Sequence, residues 1–144
     1  MTTMPVIDAD GHVTESNEQI VKYLEEPFRR RPLNFSLYPS DGWDRRLLGT
    51  LGQFAGDATT WLNAMDDAGL ESTVLYPTLG LFMGFVKDAT WAVALSRAYN
   101  TLLHEEFLRV SPRLKAVALL PVQAPQEAAA ELRRAVTQLG FSGG

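Results

Sequence analysis

Three apolar runs, each followed by a stretch of helical periodicity, constrain this chain more than any other feature. Strand and helix alternating over short joints build parallel βαβ units. The first run lies near residues 5–9, ends at Asp10-Gly11-His12 and reads as a short buried strand; the second spans Leu70 to Pro77, and the third Lys115 to Pro121. The third is apolar enough for a strand covered on both faces. Between them, Ser16 with Gln19 three residues on predicts a capping box for a helix carrying Ile20, Val21 and Leu24, limited by Pro27. Asp57 suits the cap of a second helix through about Ala68, with Trp61, Leu62, Met65 and Ala68 on one face and Gly69 as its left-handed stop. A glycine-bearing loop at 78–85 leads into a long helix near 88–110, with Ala94, Leu95, Ala98, Leu102 and Phe107 on its buried side. Pro125 opens a last helix striped by Ala128, Leu132, Ala135, Val136 and Leu139, and Gly140 stops it. Residues 141–144 read as the lead into a fourth strand.

This order narrows the architecture to an open doubly wound sheet or a (β/α) barrel, and both place function at the carboxyl ends of the strands. Asp10 and His12, Tyr76 and Pro77, and Pro121 to Gln123 should therefore gather on one rim. With 144 residues, 46% of them hydrophobic, the chain suits one domain with a modest core. Residues 32–56, with Pro32, Pro39, Gly42, Gly49, Gly52 and Gly56 among Phe35, Tyr38, Trp43 and Phe54, hold no sustained period. They read as a long irregular insertion, of the kind that covers active sites or contacts partners.

Chemistry concentrates at Asp10 and His12. In a strand these two side chains project to one side, roughly 6 to 7 Å apart along the backbone, and a carboxylate with a neutral imidazole suits zinc, manganese or iron. The same Asp-Gly-His run also suits an ordinary turn after a short strand. Two ligands make half a site. The only other histidine, His104, falls mid-helix beside Leu102 and Leu103 and reads as a packing or surface residue.

Several classes are disfavoured. Thirteen Lys and Arg against 17 Asp and Glu give a net charge of -4, with the basic residues in separate short groups, so nucleic acid is not an expected partner. Arg29-Arg30-Arg31 sits between Glu25-Glu26 and Pro32 and reads as a solvated helix end or loop. The absence of cysteine excludes disulfides and thiol catalysis. The glycines of 78–85 match no phosphate-binding order. With no basic leader and no apolar run near the roughly 20 residues that cross a bilayer, a soluble cytoplasmic protein without a membrane partner is expected.

The runs Val6-Ile7-Asp8-Ala9-Asp10-Gly11-His12, Trp61 to Gly69 leading into Ser72-Thr73-Val74-Leu75-Tyr76-Pro77-Thr78, Asn100 before Pro112 to Pro121, and Glu127 through Phe141 together resemble the amidohydrolase superfamily. The likeness is to its amidohydrolase-related branch of metal-dependent hydrolases and aminocarboxymuconate-semialdehyde decarboxylase-like enzymes, and spans nearly the whole chain. It implies the N-terminal part of a (β/α)8 TIM-type barrel, incomplete at about three βα units, since such a barrel takes about 250 residues. In that family the first strand carries a His-x-His metal pair; here Asp10 stands at the first position and His12 at the second. The resemblance implies a divalent cofactor, zinc first with manganese or iron as alternatives, and a small-molecule substrate. The expected activity is that of a metal-dependent hydrolase of small cyclic or carbonyl-containing molecules, exercised by a longer chain. Non-oxidative decarboxylation is the alternative within the family, and a catalytically inactive barrel fragment that self-associates is the alternative outside it. No catalytic acid or base is assigned, and open sheet edges make a homo-oligomer the expected state.

Overall fold

The computed structural model describes residues 4–30 and 56–144. Apart from Gly56, the insertion expected over 32–56 lies outside the described residues, Trp43 and Phe54 included. The elements run β1 (Ile7–Val13), α1 (Asn17–Tyr23), a short 3-10 turn (Phe28–Arg30), α2 (Ala58–Ala68), β2 (Ser72–Pro77), a 3-10 segment (Leu79–Phe85), α3 (Ala89–Leu103), a π-helical extension (His104–Leu108), β3 (Leu114–Ala116) and α4 (Pro125–Gln138). The three strands form one parallel sheet in the order β1-β2-β3, so each crossover joins neighbouring strands.

Local chemistry sets most boundaries. Ser16 accepts from the Gln19 amide while the Gln19 side chain accepts from the Ser16 amide, the reciprocal box that starts α1. Asp57 accepts from the Thr60 amide at 2.8 Å to start α2, and Gly69 ends it at φ 68°, a conformation side-chain-bearing residues rarely adopt. Ala68, expected on the inner face of α2, is exposed. Pro125 opens α4 and Gly140 follows it at φ 77°.

Burial along the strands alternates. Gly11 and Val13, Thr73, Leu75 and Pro77, and Leu114 and Ala116 are buried against the helices, whereas His12, Val74, Tyr76 and Lys115 are less covered. The core lies between the sheet and α3, which is buried nearly all round because α1 and α4 flank it; Leu95, Tyr99, Leu102 and Leu103 are fully enclosed.

Four expectations need correction. The first strand does not stop short of Asp-Gly-His but runs through it to Val13, and only Gly11 and Val13 of it are buried: as an edge strand it leaves Ile7 more than half exposed. The third strand pairs with β2 only over Leu114–Ala116, beyond which the Asn100 side chain takes both the N–H and the C=O of Leu119, and Lys115 is exposed rather than covered. The long helix is α-helical only to Leu103 before widening into π geometry. On α4 the buried positions are Ala135 and, unexpectedly, Glu131, while Val136 is exposed, because Asn100 and two arginines make a polar socket for the carboxylate. The expected lead into a fourth strand is present: Val117 bridges Gly143 in parallel, and the Ala118 amide donates to Gly143 O at 2.7 Å. No helix among the described residues is long and apolar enough to cross a membrane.

Candidate metal-binding rim

Parallel pairing brings the carboxyl ends of the strands together. His12 stands opposite Tyr76 and Val13 opposite Pro77. Between Asp8 and Gly11 the register slips, so that Ala9 and Asp10 both stand across from the single residue Val74. This is a β-bulge, a device that re-aims side chains and recurs beside functional sites. Asp10, within the bulge, and His12, past it, project together on the open side: His12 Nε2 lies 3.7 Å from Asp10 Oδ1, with Asp10 almost fully exposed and His12 partly so. The other imidazole nitrogen, Nδ1, is 3.4 Å from Thr78 Oγ1, and the Tyr76 ring lies 6.1 Å away, centroid to centroid. The Asp-Gly-His run is therefore strand, not turn.

The rim is fastened by Glu15, which sequence reasoning passed over, and by Gln123, which it expected there. Glu15, 2% exposed, accepts from the backbone amides of Thr78 at 3.1 Å and Gly80 at 2.7 Å, tying the end of β1 to the segment after β2. Burial pushes its carboxyl above the usual range, with the backbone amides pulling the other way. The contact needs Gly80, where a Cβ would meet the Pro77 Cβ at 2.7 Å. Gln123, beyond β3, donates through Nε2 to the carbonyls of Met83 and Val86 and closes the rim on the other side. The sequence offered one signal, a carboxylate three residues past His12, but not that it would be buried.

His104 stays apart from this rim. In a βα unit the helix runs back against its strands, so the C-terminal end of α3 lies at the opposite edge of the sheet from their carboxyl ends. There His104 Nδ1 donates to Leu139 O at 2.9 Å, a packing role as expected. Among the described residues no group of three or more His, Cys, Asp and Glu is arranged to hold a metal ion, so Asp10 and His12 stand as a pair.

The model of the amidohydrolase family (Amidohydro_2) matches residues 7–144. The gamma-resorcylate decarboxylase of Rhodococcus jostii is 35% identical over 82 residues, covering 57% of this chain and 25% of that protein. The gamma-resorcylate decarboxylase of Rhizobium radiobacter is 37% identical over 84 residues, covering 58% and 25%. Among solved structures, a 2,6-dihydroxybenzoate decarboxylase from Rhizobium superposes with a TM-score of 0.67 at 26% identity. A dihydroxybenzoic acid decarboxylase from a Polaromonas species, holding manganese and the inhibitor 2-nitroresorcinol, gives 0.62 at 25% identity. Each of these two superpositions covers 99% of this chain and 38% of the other. The matched stretch is thus about a quarter of the curated relatives' length, and the architecture is a partial barrel of about three βα units. These relatives are decarboxylases, which favours the decarboxylase alternative over the hydrolase expectation. From the match over residues 7–144 and the parallel βα units, this chain belongs to the amidohydrolase family.

Proposed function

We propose that this chain is the N-terminal portion, about three βα units, of a metal-dependent, non-oxidative decarboxylase of small hydroxylated aromatic carboxylates, with Asp10 and His12 as two of the metal's donors. The observation that carries the reading is their convergence on the open side of β1, at a bulge, at the carboxyl end of a parallel sheet. The donor set fits a divalent cation as far as it goes. A carboxylate oxygen and an imidazole nitrogen are both first-row metal ligands, and with Thr78 Oγ1 at His12 Nδ1 it is Nε2 that faces Asp10. Manganese is the metal of the Polaromonas relative and replaces zinc as the first choice. When bound, such a cation supplies Lewis acidity toward a substrate carboxylate or phenolic oxygen.

The chain's own residues hold and orient. Asp10 and His12 bind, Thr78 fixes the imidazole, and Glu15 with Gln123 keeps the surrounding backbone in place. Further donors and the proton that replaces carbon dioxide on the ring carbon come from outside the described residues, so turnover requires groups that they do not supply. A second reading, a catalytically silent piece that self-associates, draws on Ile7 on edge strand β1 and Val6 just before it, both more than half exposed.

The test is Mn2+ binding to the chain and to the Asp10→Ala/His12→Ala double variant, followed by paramagnetic broadening of amide NMR signals and with 2,6-dihydroxybenzoate as added ligand. The expected result is broadening centred on residues 10–13 that the double variant abolishes and that the aromatic acid alters. Equal broadening in both chains, or none in either, refutes the metal reading. Light scattering on the same samples shows whether binding accompanies self-association.

A further inference from the structure

The strand carries three groups able to ligate a metal at alternate positions, Asp8, Asp10 and His12, and an unbroken strand would aim all three to one side. The bulge separates them. Asp8 pairs with Thr73 and Gly11 with Leu75, so Asp8 turns toward the helix-covered face while Asp10 and His12 stay on the open one. On that covered face Thr73, fully buried, donates from Oγ1 to Asp8 Oδ2 at 2.7 Å. The other carboxylate oxygen, Oδ1, accepts from the Asp10 amide at 3.1 Å, satisfying a donor within the bulge. Gly11 makes the arrangement fit: a Cβ there would lie 2.5 Å from Thr73 Oγ1.

We propose that Asp8 and Thr73 are positioning residues, a two-sided clamp that fixes the bulge and thereby sets where the Asp10 carboxylate stands relative to His12. The inference rests on the reading of Asp10 and His12 as metal donors. One carboxylate is withdrawn from the open face and used to orient the next, so the pair presented to a cation is Asp10 and His12 rather than Asp8 and Asp10.

The experiment compares Thr73→Val, which removes the hydroxyl, with Thr73→Ser, which keeps it and loses a buried methyl. Mn2+ affinity is read from broadening of the Gly11 and His12 amide signals of the full chain, and the thermal midpoint is measured alongside. Loss of an orienting partner typically weakens metal binding about 10- to 100-fold, so T73V is expected to weaken Mn2+ by ~10-fold or more while T73S stays within about twofold of the parent. A merely structural role would make affinity follow the thermal midpoints, so T73S with a lowered midpoint and unchanged affinity separates the two. Parent-like affinity in T73V, or affinity tracking the midpoints, overturns the clamp. Asp10→Ala is the control: if it abolishes binding while T73V does not, the clamp alone fails. If Asp10→Ala binds like the parent, or the parent does not bind, the metal reading fails and the clamp with it.

Discussion

Replacing Asn100 by alanine should cost this chain a large part of its stability. Asn100 is fully buried on α3, donates through Nδ2 to Leu119 O at 3.0 Å and to Glu131 Oε1 at 2.8 Å, and accepts at Oδ1 from the Leu119 amide at 2.9 Å. One side chain on α3 thus holds the backbone beyond β3 and reaches Glu131 on α4. The variant loses two neutral hydrogen bonds at about 1 kcal/mol each and one to a charged acceptor at about 1.5–3 kcal/mol, so about 3.5–5 kcal/mol is expected. Glu131 keeps Arg134 at 2.7 Å, so its charge is not stranded by the change. Against a total of about 5–15 kcal/mol for a small domain, such a loss would be unmistakable. The assay is urea unfolding followed by circular dichroism, with Glu105→Ala as internal comparison. That residue's 2.6 Å contact with Arg109 is largely solvent-exposed, and removing it should cost below about 0.5 kcal/mol. A fall in stability under about 1.5 kcal/mol for Asn100→Ala, or one no larger than for Glu105→Ala, would refute the claim that the buried amide organises this corner.

Glu15 predicts a pH dependence. Its carboxyl is raised above 4.5 by burial, so the folded state holds the proton more tightly than the unfolded chain; the resulting stabilisation is fully present below about pH 4.5 and is lost as pH rises through the raised value. The stability of the parent relative to Glu15→Gln, from urea midpoints between pH 4 and 7, should therefore fall with rising pH; a flat or rising difference would contradict the assignment. Gly11→Ala should destabilise by about 1–3 kcal/mol through overpacking against Thr73 Oγ1, and less in a Thr73→Ala background where that oxygen is gone. Equal costs in the two backgrounds would show that the close approach is relieved elsewhere.

The sequence by itself determined the order of elements and most of their ends, because these depend on neighbours a few residues apart. Ser16 with Gln19, Asp57, Gly69 and Pro125 act through hydrogen bonds and backbone preferences within one turn, and strand periodicity suffices to put Asp10 and His12 on one side. Tertiary structure decided what those elements present. Asp8 is drawn off the open face by Thr73, 65 residues away; Glu15 is buried by the amides of Thr78 and Gly80; and Glu131 is buried on a helix whose apolar stripe pointed to Val136. Each of these is a charged side chain whose placement follows from a hydrogen-bond partner supplied by a distant segment. Local periodicity marks such a residue only as polar, and where it lies depends on which backbone and side-chain groups the fold brings to meet it.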